Sequence, residues 1–346
     1  METMIQKMVT EDREIAKRAA EIWRSGGLVA FPTETVYGLG GNGLDPRASE
    51  KIYAAKARPS DNPLILHIAD DDQLDELTTG VTEWMRAVME AFWPGPLTMI
   101  VPKSERVPYE TTGGLETVAV RMPSHPIARQ LLREVKLPIA APSANRSGRP
   151  SPTSASHVIE DMNGRIDMII DGGDVGIGLE STIVDLTGAR PMLLRPGFIT
   201  PEMLQEVLGP IETDLAVFKQ VSAEVKPKAP GMKYRHYAPK AEMKIVEGDR
   251  EAVASYINQK LAMQQDKKIG ILTTTENQML YEGGIRISVG TRASLLDIAH
   301  NLFRVLREFD AIGVDAIFSE SFPAEGEGLA VMNRLLKAAG HQVIRV

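Results

Sequence analysis

Leu28-Val-Ala-Phe-Pro-Thr-Glu-Thr-Val-Tyr-Gly-Leu-Gly40 is the stretch on which the fold turns. Leu28–Phe31 is continuously apolar, as a strand buried on both faces must be. The polarity then changes abruptly. Thr33, Glu34 and Thr35 bring two hydroxyls and a carboxylate, and a glycine-rich turn follows. Upstream, Ile15, Ala19, Ile22 and Trp23 share one face of a helix over 12–26, which Gly26-Gly27 stops. Downstream, Asp45 as N-cap and Pro46 at the first position start a helix over 46–57. Helix, strand, polar loop and helix in that order make an α/β unit, and such folds place ligands in loops at strand ends. The same loop also reads as a hydroxyl-rich turn with capping duties.

Further strands are predicted at Pro63–Ile68, Leu97–Val101, Thr117–Arg121, Pro138–Ala141, Met168–Asp171, Ser181–Asp185 and Met192–Arg195. Helices are predicted over 81–92 and 126–135. Several connections are too short for helical crossovers, so the sheet is expected to be mixed and twisted. Residues 225–240, VKPKAPGMKYRHYAPK, hold three prolines, one glycine and five cations without an acid, the pattern of an extended linker. Beyond it, strands at 244–246, 268–272, 285–289, 316–319 and 342–346 alternate with helices over 249–264, 293–309 and 328–339. That alternation predicts a small, Rossmann-like open α/β domain. The expected division is 1–210, a linker over 211–242, and 243–346.

The 346 residues carry 43% hydrophobic and 25% charged side chains, an ordinary globular balance. A net charge of −7 argues against a basic body that coats nucleic acid. Cys is absent, which excludes disulfides, thiolate metal sites and a Cys nucleophile and suits a reducing compartment. No signal-peptide core and no membrane-length apolar run is present, so a soluble cytoplasmic protein is expected.

Gly38, Gly40 and Gly43 satisfy G-x-G-x-x-G, but the following helix starts only at Asp45-Pro46, after the last glycine, and no other part of a dinucleotide fingerprint follows. Lys56 and Arg58 with Asn62 end a helix; they complement its dipole or clamp a phosphate. His67 ends a strand and is equally at home in a core. The loop Ser143-Ala-Asn145-Arg-Ser-Gly148-Arg-Pro-Ser151 is dense in hydroxyls, amides and cations, fit for a nucleotide or for solvent. Leu179-Glu-Ser181-Thr182 repeats hydroxyls before a strand. Arg121 and Arg195 each leave an apolar strand, where a cation needs an anionic partner or water. Together these residues imply an anionic substrate.

Read in order, Phe31–Gly40, the Lys56/Arg58/Asn62 cluster, Ser143–Gly148, Leu179–Thr182 and Leu193-Leu-Arg-Pro-Gly197 resemble the YrdC-type domain. Pro230–Pro239 resembles the linker, and Gly326–Ala339 the C-terminal domain, of the two-domain L-threonylcarbamoyladenylate synthase family. The resemblance implies a YrdC-type α/β domain joined by an extended linker to a Rossmann-like one. It implies an enzyme that makes L-threonylcarbamoyl-AMP and pyrophosphate from L-threonine, bicarbonate and ATP, for tRNA modification. It assigns Thr35, His67, Arg121, Ala141 and Ser181 to threonine, with Arg121 on its carboxylate. It assigns Lys56, Arg58, Asn62, Thr117, Ser143, Asn145, Ser151, Arg195, Tyr234 and His236 to ATP, with Lys56, Arg58 and Arg195 as the catalytic cations. No protein metal site is implied; Mg²⁺ would travel on ATP. Later enzymes of threonylcarbamoyl transfer would be transient partners. An RNA-binding module, a carbamoyl-adenylate-forming relative and a nicotinamide-dependent oxidoreductase are the other readings.

Overall fold

The computed structural model describes residues 2–219, 227–230 and 236–346. Its contacts divide the chain into two units. The first is Met1–Ser147, Ser151–Gly176 and Glu180–Tyr234; the second is Gly148–Pro150, Ile177–Leu179 and Arg235–Val346.

The first unit is built on eleven strands: β1 (Met4–Lys7), β2 (Val29–Phe31), β3 (Gly38–Asn42), β4 (Ile65–His67), β5 (Leu97–Pro102), β6 (Thr117–Arg121), β7 (Ile139–Ala140), β8 (Met168–Asp171), β9 (Thr182–Asp185), β10 (Met192–Arg195) and β11 (Glu212–Thr213). They form one sheet in the order β1-β8-β2-β3-β7-β4-β6-β5-β9-β10-β11. Parallel pairs such as β4 with β6 alternate with antiparallel pairs such as β5 with β6, so the sheet is mixed, as the short connections require. Helices α1 (Arg13–Arg24), α2 (Pro46–Lys56), α3 (Glu83–Phe92), α4 (Tyr109–Thr112), α5 (Pro126–Val135), α6 (Ala155–Met162) and α7 (Pro201–Leu208) complete it. Asp12 caps α1 by accepting from the Ile15 amide, and Asp45 caps α2 with Pro46 at its first position. Of the α1 face predicted to be buried, Ala19 and Trp23 pack with Phe31, Leu131 and Ile139 in one cluster, and Ile15 and Ile22 are half-buried against it.

Two expectations change. The glycine-rich stretch after Tyr37 is not a turn but strand β3, antiparallel to β2, and the hairpin loop is 32–37. Glycine is needed there for close packing. A Cβ on Gly40 would lie 2.8 Å from Ile139 Cγ2 and 2.9 Å from Phe31 Cε1. The G-x-G-x-x-G pattern therefore runs along a strand, without the phosphate-cradling turn that a dinucleotide site needs. Strand β1, too short to read as MIQK alone, pairs in parallel with β8.

In the second unit five strands, β12 (Glu242–Glu247), β13 (Ile269–Thr273), β14 (Ile285–Ser288), β15 (Ala316–Glu320) and β16 (Val343–Arg345), lie in the order β14-β13-β15-β12-β16. Every pairing is parallel; α8 (Arg250–Met263), α9 (Leu295–Ile312) and α10 (Glu327–Ala338) supply three of the four connections, and a single 3₁₀ turn at Gln278–Leu280 lies in the fourth, between β13 and β14. This is the open α/β arrangement expected from the alternation. At the end of β15 the buried Glu320 carboxylate accepts from Thr273, Asn277 (2.8 Å), Tyr281 (2.9 Å) and Arg292 (3.0 Å).

Candidate active site

The hairpin loop 32–37 is shaped by its own hydroxyls. Thr33 Oγ1 donates to the Val36 carbonyl at 2.7 Å and meets Thr35 Oγ1 at 2.8 Å. Arg121, at the end of β6 and 4% exposed, donates from Nη1 to Thr35 Oγ1 at 2.9 Å and from Nη2 to Glu34 Oε1 at 2.6 Å. Its Nε reaches the Gly95 carbonyl at 3.3 Å. Burial works to raise the Glu34 carboxyl, but the Arg121 charge and hydrogen bond overcome it and hold the group below the ordinary range. The second Glu34 oxygen, Oε2, is buried without a hydrogen-bond partner among the described residues.

His67 stands directly opposite Arg121 in the parallel β4/β6 pair. Burial first, and the Arg121 charge second, depress it to about 3, so it is neutral at physiological pH. Its Nδ1 lies 3.1 Å from the Ile65 carbonyl, which also accepts the Ala141 amide at 2.9 Å.

Ser181, just before β9, is held from two sides. Its hydroxyl meets Thr98 Oγ1 at 2.7 Å and accepts from Arg195 Nη2 at 3.1 Å. Arg195 Nε also donates to the Ser181 carbonyl at 3.0 Å, and Nη1 to the Pro230 carbonyl at 3.3 Å. The neighbouring Glu180 carboxylate accepts the Ser151 hydroxyl. Close by Arg195, Gly197 has no room for a side chain: a Cβ would lie 2.5 Å from the Thr182 amide nitrogen.

Lys56, on the last turn of α2 and 2% exposed, donates to the carbonyls of Ser143 and of Asn145, the latter at 2.6 Å. Ser143 Oγ donates to Asn145 Oδ1 at 2.5 Å. Arg58 Nη2 donates to the Asn62 and Pro63 carbonyls at 3.2 Å each. Tyr37 ties three of these segments together. Its amide donates to the Pro152 carbonyl at 2.9 Å, and its carbonyl accepts the Ala144 amide at 2.8 Å.

The candidate residues thus fall into local groups: Arg121 with Thr35, His67 with Ala141 through Ile65, Ser181 with Arg195, Lys56 with Ser143 and Asn145, and Arg58 with Asn62. Thr117 does not join them. It opens β6, four residues from Arg121 and about 13 Å away along the strand. Tyr234 lies outside the described residues, as do Lys226, Lys233 and Arg235 of the predicted linker. His236 belongs to the second unit, its ring 5.5 Å from that of Tyr237.

Residues 21–197 match the family model described as telomere recombination, which groups Sua5, YciO and YrdC proteins. Residues 199–340 match the model of the threonylcarbamoyl-AMP synthase C-terminal domain. The Bacillus subtilis threonylcarbamoyl-AMP synthase is 51% identical over 98% of this chain and 96% of its own. The chain belongs to the threonylcarbamoyl-AMP synthase family. The Pyrococcus abyssi synthase is 50% identical over 95% of both chains. The crystal structure of P. abyssi Sua5 complexed with L-threonine superposes with a TM-score of 0.92 at 48% identity, covering 100% of both chains. The family resemblance, the two-domain α/β fold and the enzyme class therefore stand.

In this candidate site, sequence reasoning gave no role to Glu34, Thr98 or Glu180. Thr98 carried a signal: it is a polar residue inside the buried apolar strand Leu97–Val101, where a hydroxyl needs a partner. Glu34 and Glu180 sat inside the quoted motifs, but their partners, Arg121 and Ser151, are distant in sequence.

Proposed function

We propose that this chain condenses L-threonine, bicarbonate and ATP into L-threonylcarbamoyl-AMP and pyrophosphate. The observation that carries the reading is the buried group of Arg121, Glu34 and Thr35 with neutral His67 opposite. It offers a guanidinium to a carboxylate, a hydroxyl to a hydroxyl, and an acceptor to an ammonium. An amino acid with a hydroxylated side chain satisfies all three.

In this proposal the threonine carboxylate shares Arg121 with Glu34, and the unpartnered Glu34 Oε2 receives the ammonium. Ala141 and Ser181 border the pocket. Addition of the deprotonated amine to bicarbonate, with loss of water, gives the carbamate. Its oxygen attacks the α-phosphorus of ATP, the bond to the β-phosphate bridge breaks, and pyrophosphate leaves with the electron pair. Such a transfer needs positioning and charge neutralisation rather than a protein nucleophile.

Arg58 and Arg195 supply charge to the phosphates. Lys56 fixes the Ser143–Asn145 loop by its carbonyls and adds a third cation. Asn62, Thr117, Ser143, Asn145 and Ser151 would contact the rest of the nucleotide, and Tyr234 and His236 of the 211–242 segment would complete its binding. Because this donor set is cationic, Mg²⁺ would sit on the phosphate oxygens and enter as part of the substrate. The product is consumed by enzymes that transfer the threonylcarbamoyl group to tRNA. Cysteine-free composition suits work in the cytoplasm; no described helix is long and apolar enough to cross a membrane.

The test is pyrophosphate release from Mg-ATP with bicarbonate, with and without L-threonine. Release that requires both threonine and bicarbonate supports the proposal. Release without threonine moves the reading to plain carbamate, and no release with RNA binding intact moves it to a binding module.

A further inference from the structure

The first unit carries a second cationic site. A groove of about 920 Å³ lies between α1 and α5, lined by Thr10, Arg13, Lys17, Ser124, Arg129 and Arg133 among others. None of the residues placed in the active site lines it. Arg13 and Lys17 are one turn apart on α1, and Arg129 and Arg133 are one turn apart on α5. Like charges at that spacing weaken the helices that carry them, and here two such pairs face one groove.

The cations are poorly compensated. Arg13 and Lys17 have neither an ion pair nor a hydrogen bond among the described residues. Asp70 lies 4.0 and 3.8 Å from Arg129 and Arg133, beyond hydrogen-bond distance, and Asp71 acts on Arg129 only through its charge. Arg129 is the telling residue. Its side chain is 17% exposed, yet Nη1 is buried with no acceptor among the described residues. An unsatisfied guanidinium N–H inside a protein is costly, and a planar fork suits an oxyanion. Burial, then Arg133, loosens its hold on its proton.

The groove walls are fixed. Gln130 Nε2 donates to the Asp12 carbonyl at 3.0 Å, and its Oε1 accepts the Glu11 amide at 2.9 Å. Arg24 Nη2 donates to the Glu134 carbonyl at 2.6 Å. These bonds tie α1 to α5, the two helices that carry the cations.

We propose that this groove binds a small phosphate-bearing anion, held by the Arg129 guanidinium between Arg13, Lys17 and Arg133. Its volume lies in the range of small-molecule sites, about 300–1,000 Å³. Glu11 and Glu134 also line it, which favours a compact anion over an extended polyanion such as RNA. The groove borders the threonine pocket through Ser124, whose backbone bonds to Glu34. Its four cations are none of the residues assigned to threonine or ATP, so the proposal stands or falls separately from the proposed reaction.

Inorganic pyrophosphate, titrated calorimetrically into the full chain, is the probe; a short single-stranded RNA is the second arm. The proteins are wild type, Arg129→Ala and the exposed double variant Lys17→Ala/Arg133→Ala, each checked by melting temperature. The wild type should bind pyrophosphate at a site that both variants weaken by about tenfold or more. Pyrophosphate release at saturating substrates should stay within about twofold. If Arg129→Ala misfolds, the double variant alone decides. Identical pyrophosphate isotherms in all folded proteins would overturn the proposal, as would a loss confined to RNA.

Discussion

At the scale of single residues, Arg121 is the pivot of the site because it serves a structural partner and a proposed ligand at once. Arg121→Ala should raise the KM for threonine by an amount equivalent to about 1.5–3 kcal/mol, while leaving the KM for ATP nearly unchanged. It should also lower stability by about 3–5 kcal/mol, because Glu34 is left buried without its cation. Arg121→Ala/Glu34→Gln should recover much of the stability and none of the threonine use; equal ATP and threonine defects would count against the assigned role. His67 gives a pH prediction. Its folded pKa of about 3 lies below the ordinary 6.5, so the unfolded chain binds the proton first. Stability is complete above pH 6.5 and falls as pH drops toward 3, by up to about 1.4 kcal/mol per unit. Urea unfolding of wild type and His67→Gln across that window should show a flatter acid limb in the variant.

At the scale of elements, the site depends on loops that strands bring together without slack. Gly197 shows how tight this is: a Cβ would strike the backbone of the segment carrying Glu180, Ser181 and Thr182. Gly197→Ala should cost about 1–3 kcal/mol in melting experiments and impair both threonine and ATP use. A variant with wild-type stability and kinetics would show that this segment yields freely. The elements with strong local signals were legible in the sequence. Helix α2 announces itself through Asp45-Pro46, and β6 through its apolar run ending in Arg121. Strand β3 was not legible, because glycine has no strand propensity and its place there is set by Trp23, Phe31 and Ile139 from elsewhere in the chain. The candidate site followed the same rule. Its cations and hydroxyls stood out locally, whereas the pairings Arg121–Glu34, Ser151–Glu180 and Ser181–Thr98 depend on strand order. No local pattern encodes that order.

At the scale of the whole molecule, the division into two units is legible in the change of texture after residue 200, but its fine structure is not. The second unit includes Gly148–Pro150 and Ile177–Leu179, segments that interrupt the first unit's sequence. Inside it, Arg307 donates to the Pro150 carbonyl at 2.7 and 3.1 Å, and the Ala238 amide donates to the Gly148 carbonyl at 2.9 Å. A fragment ending at residue 234 should therefore be cleaved by protease at 148–150 and 177–179 faster than the full chain; equal cleavage would show that these segments hold themselves. The same interleaving bears on chimaeras. A hybrid that joins this chain's N-terminal part to a relative's C-terminal part at one crossover point would inherit two loop triplets matched to the wrong partner. Grafting those triplets along with the C-terminal half is what would make the exchange seamless.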